Sequence, residues 1–113
     1  MNESQKTPHL AKPIAAYFAA DKADGAAVAQ CFTENAVVTD EGHTYRGRPA
    51  IRKWKTDASA QYEYTSTPFD CEREGGKVIV TSHLVGNFPG SPVDLRFIFQ
   101  LEGDKISSLE IIP

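Results

Sequence analysis

The spacing of apolar residues changes along the chain from a helical period to a strand period. In the first part, apolar residues recur at three and four positions and predict three short amphipathic helices. The first begins at Pro13, the second follows a capping Asp24 and runs to Glu34, and the third begins near Pro49. Their apolar stripes are Ile14, Tyr17 and Phe18; Val28, Cys31 and Phe32; and Ile51, Trp54 and Ala58.

A strand between the second and third helices ends in an acid. Because side chains alternate along a strand, Ala36, Val38 and Asp40 share one face. A carboxylate at the end of an apolar face is either a desolvated functional group or a strand-end residue that has already reached water. The segment after Asp40 is predicted to be a loop that leads into the third helix.

The later part of the chain alternates with a period of two and contains two tight turns. A two-residue turn at Gly75-Gly76 would place Cys71 opposite Val80 and Phe69 opposite Ser82. A second turn at the sequence PGSP would place Leu84 opposite Phe97 and Ser82 opposite Phe99. The inward apolar face is then predicted to comprise Phe69, Cys71, Val78, Val80, Leu84, Leu95, Phe97, Phe99 and Leu101. A sheet with one apolar face that covers three helices is an α+β domain.

The opposite face of this sheet also carries apolar residues. An uncovered apolar patch on a sheet commonly marks an interface, which predicts a homodimer packed through this back face. The residues assigned to that interface are Val85, Ile98, Leu109 and Ile111. Asp94 shares the parity of Ile98 and is therefore predicted to point to the back face rather than inward.

Composition limits the classes of function. The chain has 113 residues, a formal net charge of −3 and a pI of about 5.5, which disfavours broad attraction to nucleic acid or to an anionic membrane. Residues 1–12 read as a tail without a signal peptide, and residues 13–113 as one domain, so a cytoplasmic location is expected. The basic residues from Arg46 to Lys55 fit a solvated helix face. Neither the two cysteines nor the histidines have metal-site spacing, and no cofactor or metal is predicted.

Several of these stretches resemble a known superfamily. The alanine-rich helices, the strand ending in AVVTD, the stretch RGRPAIRKW and the stretch GNFPGSPVDLRF are similar to the nuclear-transport-factor-2-like superfamily, most closely its SnoaL-like branch. This resemblance implies a cystatin-like cone, in which a strongly curved, mostly antiparallel sheet wraps around the helices and leaves a pocket. Members of the superfamily include isomerases, cyclases, hydrolases and binding modules, so the fold alone does not fix the function.

Comparison with ketosteroid isomerase, a member of the superfamily, suggests roles for two residues. The position of that enzyme's general base matches Asp40, and the position of its tyrosine donor matches Tyr17. Its second donor, an aspartate, falls in the SPVD stretch at Asp94. The predicted register turns Asp94 away from the pocket, unless a bulge near Pro92 returns it. The residues predicted to contact a hydrophobic ligand are Trp54, Phe69, Ser82, Leu95, Phe97 and Phe99.

Two functions from different classes follow. In the first, the protein is a cofactor-independent isomerase or cyclase that uses Asp40 as a general base on a small hydrophobic carbonyl compound. In the second, it is a non-catalytic ligand-binding or dimeric module, whose pocket is filled by its own aromatic side chains.

Overall fold

A six-stranded sheet with three helices forms the fold. The computed structural model describes residues 9–22 and 24–113. The helices are α1 (Lys12–Ala20), α2 (Gly25–Ala29) and α3 (Arg48–Gln61), and the strands are β1 (Phe32–Asp40), β2 (His43–Arg46), β3 (Tyr64–Glu74), β4 (Lys77–Gly86), β5 (Val93–Glu102) and β6 (Lys105–Ile112). The strand order in the sheet is β2-β1-β6-β5-β4-β3. The predicted α+β class is confirmed.

The sheet is mostly antiparallel, with one parallel pair. Only β1 and β6 run parallel, and β6 therefore joins the N-terminal hairpin to the β3–β5 meander. The predicted grouping of three N-terminal helices is not confirmed, because α3 follows β1 and β2, whereas the other four strands come after α3. The predicted strong curvature and the predicted domain boundary between residues 12 and 13 stay predictions.

The first helices and strands differ in length from the sequence prediction. α2 ends at Ala29, and Phe32 belongs to β1, where it pairs with Ile106. The segment after Asp40 is a hairpin rather than a loop, because Glu41 and Gly42 turn the chain with positive φ angles of 53° and 79°. Asp40 therefore ends β1 opposite His43, as a strand end beside a tight turn.

A bulge in β3 reverses the side of the sheet on which Phe69 lies. The predicted pairing of Cys71 with Val80 is confirmed, but Pro68 rather than Phe69 pairs with Ser82. The register shifts between Pro68 and Asp70, so one residue is inserted into β3. Phe69 is consequently 48% exposed, and the prediction that it faces inward was wrong.

The β4–β5 hairpin has a longer loop than predicted. Leu84 pairs with Val93 instead of Phe97, because β4 ends at Gly86 and its backbone N–H donates to Ser91 Oγ at 2.9 Å. The strands are displaced by an even number of residues, and the parity of their side chains is therefore unchanged. Phe97 is buried as predicted, and Asp94 points to the back face as predicted.

Two residues of the predicted dimer face belong to the core instead. The register of β6 shifts opposite Gln100 and Leu101, and beyond this irregularity Leu109 pairs with Phe99 and Ile111 pairs with Phe97. Leu109 and Ile111 are therefore buried within the chain, at 1% and 9% exposure. Their assignment to the back face was wrong.

Aromatic rings from α1, β1 and β5 fill the core. Tyr17 packs edge-on against Phe18, Phe32 and Phe99, with ring centroids 5.1, 6.0 and 5.6 Å apart. Within the described residues, no helix is long and apolar enough to cross a membrane.

Candidate functional site

A cavity of about 540 Å³ lies between α3 and the inner face of the sheet. Part of its wall is aromatic and part is charged. The aromatic lining residues are Tyr45, Trp54, Tyr62, Tyr64, Phe88 and Phe97, and the charged ones are Asp21, Asp40, Glu41 and Lys55. Apolar walls with a few polar groups are typical of a small-molecule site.

Asp40 lies on the cavity wall at the end of β1. Its Oδ2 accepts a hydrogen bond from the indole Nε1 of Trp54 on α3 at 3.0 Å. The ring of Tyr45, from β2, lies 5.9 Å from the ring of Trp54. The indole thus fixes the orientation of the carboxylate, whose remaining lone pairs are available to another donor.

A second polar group on the wall is a buried ion pair between Asp21 and Lys55. Asp21 follows α1, Lys55 lies on α3, and their side chains are 7% and 6% exposed. Lys55 Nζ lies 2.7 Å from Asp21 Oδ1 and donates to the hydroxyl of Tyr64 at 3.1 Å. That hydroxyl donates to Asp21 Oδ1 at 3.0 Å, which closes the group into a triangle. We call these three residues the lysine cluster.

The lysine cluster was missed because Lys55 stands in a run of basic residues. The prediction that Lys55 belongs to a solvated helix face was wrong, since the residue is only 5% exposed. A signal was present: Lys55 follows Ile51 by four residues and therefore extends the apolar stripe of α3. No comparable pattern marks Asp21, which follows α1, or Tyr64, which begins β3, and both meet Lys55 only in the folded chain.

The lysine cluster holds its protons tightly. Burial by itself would lower the pKa of Lys55, but the neighbouring Tyr17, Asp21 and Tyr64 outweigh burial and raise that pKa. Burial raises the pKa of the Tyr64 hydroxyl, against the opposing effect of the Lys55 ammonium. Lys55 is therefore a cation near neutral pH and Tyr64 a neutral donor.

Tyr17 lies apart from the cavity. Its side chain is fully buried and does not contribute to the cavity wall, so the structure does not bring it together with Asp40 at a common surface. Its hydroxyl makes no hydrogen bond to any described residue, although Lys55 Nζ lies 5.7 Å from the centre of the ring. Burial raises the pKa of this hydroxyl. The catalytic role of Tyr17 stays a prediction.

The residues predicted to contact a ligand fall into two groups. Trp54, Leu95 and Phe97 line the cavity. Phe99 is buried in the core, Ser82 is buried in a hydrogen bond to Ser66, and Phe69 is exposed at its bulge, so none of these three lines it. Asp94 lies on the back face, where its Oδ1 is 2.6 Å from His83 Nδ1.

Comparison with known proteins agrees with this architecture. A sequence model of the SnoaL-like domain matches residues 14–109. The crystal structure of a candidate polyketide cyclase from Sinorhizobium meliloti is similar, with a TM-score of 0.85 and 36% identity over 90% of this chain and 94% of that chain. No protein with curated annotation matches the sequence.

Two further solved structures share the fold at lower identity. A protein from Catenulispora acidiphila with a ketosteroid isomerase-like fold, in complex with trimethylamine, has a TM-score of 0.81 and 23% identity over 95% of this chain and 86% of that chain. SalBIII, an epoxide hydrolase/cyclase-like enzyme of pyran ring formation in salinomycin, has a TM-score of 0.73 and 24% identity over 88% of this chain and 86% of that chain. The domain match over residues 14–109 and the 36% identity to the Sinorhizobium meliloti structure show that the chain belongs to the SnoaL-like branch of the nuclear-transport-factor-2-like superfamily.

Proposed function

We propose that this protein is a cofactor-independent enzyme of the isomerase or cyclase type, which removes a proton beside the carbonyl group of a small hydrophobic compound. The observation that carries the proposal is Asp40, a carboxylate on the wall of a largely aromatic cavity. Among the described residues it has no cationic partner, and its orientation is fixed by Trp54 Nε1. A carboxylate held in this way can accept a proton from a substrate.

The chemistry follows from these positions. Asp40 takes a proton from the carbon next to the carbonyl, and the electron pair of that C–H bond forms the C=C bond of an enolate. The π electrons of the carbonyl move to its oxygen. An isomerase returns the proton at another carbon. In a cyclase the enolate carbon attacks a second carbonyl carbon of the same molecule, the π pair of that carbonyl moves to its oxygen, and this oxygen takes up the proton from Asp40. The candidate cyclase from Sinorhizobium meliloti supports this range of reactions, because it shares 36% identity with the chain.

The step common to both reactions can be measured without knowing the substrate. We expect the protein to catalyse the exchange of the α-protons of 2-tetralone with D₂O, followed by NMR. Asparagine has the size and shape of aspartate and can still accept the hydrogen bond from Trp54, but it is not a base. Asp40→Asn should therefore slow exchange by about 10²-fold or more. The matched control is Glu41→Gln, which removes the neighbouring carboxylate of the wall.

The control should exchange 2-tetralone within a few-fold of the unmodified protein. Both variants should retain its circular dichroism spectrum, so that a loss of exchange is not a loss of folding. Equal exchange by Asp40→Asn and the unmodified protein would show that Asp40 is not the base.

The second candidate function is a non-catalytic ligand-binding module. It is favoured by the position of Tyr17, whose hydroxyl does not line the cavity. The proposed enzyme then lacks the tyrosine that was expected to donate a hydrogen bond to the substrate. In that case 2-tetralone would raise the melting temperature of the protein, while its α-protons would exchange no faster than in buffer.

A further inference from the structure

The lysine cluster has hydrogen-bonding capacity that its own members do not use. A lysine ammonium carries three N–H donors. Among the described residues, the oxygen partners of Lys55 Nζ are Asp21 Oδ1 and the Tyr64 hydroxyl. One N–H of the ammonium therefore has no oxygen acceptor among these residues. The ammonium also lies 4.4 Å from the centre of the Trp54 ring, whose N–H holds Asp40. Lys55 and Asp40 thus contact the same indole.

Lys55 is also placed where a ligand can reach it. Lys55, its hydrogen-bonding partners Asp21 and Tyr64, and the indole beneath it all line the cavity. The nearby Tyr17 hydroxyl has no hydrogen-bond partner among the described residues, and burying an unpaired polar group is costly. A buried ammonium that lines the cavity, beside a hydroxyl without a hydrogen-bond partner among the described residues, indicates that a ligand can complete this polar group.

The charges of the wall restrict the ligand. Three carboxylates, from Asp21, Asp40 and Glu41, line the cavity together with the single ammonium of Lys55. A ligand that carries a permanent negative charge would be repelled by Asp40 and Glu41. A neutral carbonyl avoids this repulsion and becomes negative only at its oxygen, during the reaction. The charges therefore favour a neutral ketone over a carboxylic acid.

We propose that Lys55 is the catalytic residue that receives the carbonyl oxygen of the substrate, and that Asp21 and Tyr64 position its ammonium. This inference rests on the proposed function, because it needs an oxygen that gains negative charge when Asp40 removes the α-proton. The developing charge meets a cation that is already desolvated and fixed in place, which is where such stabilisation is strongest. Tyr17 then supports the cluster from the core instead of touching the substrate.

Protons and electrons are conserved when Asp40 removes the α-proton. The α-proton moves to Asp40, the C–H electron pair becomes the C=C bond, and the carbonyl π pair moves to oxygen. A hydrogen bond from Lys55 Nζ stabilises that oxygen, and the ammonium keeps its proton throughout. Return of the proton from Asp40 to carbon restores both the carbonyl and the carboxylate.

The role of Lys55 can be tested without catalysis by binding a phenol. The hydroxyl of a phenol is attached to an sp² carbon, as in an enol, and becomes negatively charged when it ionises. The probe is 4-nitrophenol, whose ionisation is read from its absorbance while it is bound. We expect the pH of half-ionisation of the bound probe to be at least one unit lower in the unmodified protein than in the double variant Asp21→Leu/Lys55→Met. The double variant removes the buried pair as a unit and leaves no unpaired charge.

Two further variants keep the test interpretable. Lys55→Gln retains a donor towards Asp21 and should lose the shift even if the double variant does not fold. Asp40→Asn should keep the shift or enlarge it, because it removes a repelling carboxylate. An equal half-ionisation pH in the Lys55→Gln variant and the unmodified protein, or no binding of the probe to the unmodified protein, would overturn the role of Lys55.

The two proposals fail in different ways. Ionisation of 4-nitrophenol that depends on Lys55, without exchange of 2-tetralone, would leave the lysine site standing and remove the proposed enzyme. Exchange that depends on Asp40 but is unchanged in Lys55→Gln would keep the enzyme and remove Lys55 from its chemistry.

Discussion

At the scale of single residues, the interior of this protein contains more polar chemistry than its apolar pattern indicates. Tyr17 and Lys55 are buried and Tyr64 is partly buried, and among the described residues only Lys55 and Tyr64 form a hydrogen bond with each other. Removing a single member of such a group exposes the desolvation cost of the others. The effect of each substitution therefore depends on what it leaves behind.

Tyr17→Phe should be neutral or stabilising near neutral pH. The substitution removes a buried hydroxyl that has no hydrogen-bond partner among the described residues, and it keeps the ring that packs against Phe18, Phe32 and Phe99. We expect the free energy of unfolding in urea to rise by up to about 1 kcal/mol. Exchange of 2-tetralone should persist in this variant. A large loss of exchange in a folded Tyr17→Phe protein would instead support the donor role that the sequence comparison predicts.

Stability should fall as the pH rises above about 10. The pKa values of Tyr17 and Tyr64 are raised by burial, and that of Lys55 is raised by its neighbours. Above the ordinary values near 10, the unfolded chain releases these protons while the folded chain keeps them, so alkaline pH favours unfolding. Each such proton lowers the free energy of unfolding by about 1.4 kcal/mol per pH unit.

Urea unfolding at a series of pH values from 8 to 11 measures this slope. In Tyr17→Phe one of the three groups is absent, and the slope above pH 10 should be shallower than in the unmodified protein. A free energy of unfolding that stays constant over this range would contradict the proposed state of the lysine cluster.

At the scale of helices and strands, sequence periodicity predicted the faces but not the irregularities. The inward parity of Phe97 was predictable because the misjudged loop displaced the strands by an even number of residues. The bulge at Phe69 and the register shift before Leu109 move the following side chains to the other face of the sheet. An alternating sequence pattern does not show where such an extra residue is inserted. Asp40 was identifiable for the opposite reason, since an acid at the end of an apolar face violates the pattern. Lys55 also violates it, but the neighbouring basic residues concealed this.

Gly86 links strand geometry to the lysine cluster. It pairs with Tyr64 across β3 and β4, and a Cβ atom at position 86 would lie 2.6 Å from Tyr64 Cβ. Gly86→Ala should therefore displace Tyr64, lower the free energy of unfolding by about 1–3 kcal/mol, and raise the half-ionisation pH of bound 4-nitrophenol.

The matched control is Val85→Thr, a change of similar shape at an exposed position of the same strand. The control should remain within about 0.5 kcal/mol of the unmodified protein. An unchanged Gly86→Ala protein would show that this close approach is unimportant.

At the scale of the whole molecule, the proposed homodimer has a smaller apolar basis than the sequence suggested. With Leu109 and Ile111 in the core, Val85 and Ile98 remain of the four predicted residues. Of these two, Val85 is exposed, at 47%, and Ile98 is partly buried. The hydrogen-bonded side chains of Asp94 and His83 lie on the same face. Any dimer through this face would therefore have a mixed polar and apolar interface.

Sedimentation tests the proposed dimer. If two copies pack through the back face, the unmodified protein should sediment as two chains and Ile98→Glu as one, because the new carboxylate would be buried without a partner. Ala16→Glu adds the same charge at an exposed position of α1 and serves as the control, which should remain dimeric. A single-chain mass for the unmodified protein, or a dimer that survives Ile98→Glu, would remove this interface.

The placement of β6 between β1 and β5 has a consequence for synthesis on the ribosome. The β1–β2 hairpin and the β3–β5 meander are joined in the sheet only through residues 105–112. Until these residues emerge from the exit tunnel, a nascent chain carries two separate sheet fragments, and β1 and β5 each present an unpaired edge. Such edges readily pair with other chains. A nascent chain stalled with residues 105–112 still inside the exit tunnel should consequently recruit chaperones, and emergence of these residues should convert it to the compact form in one step.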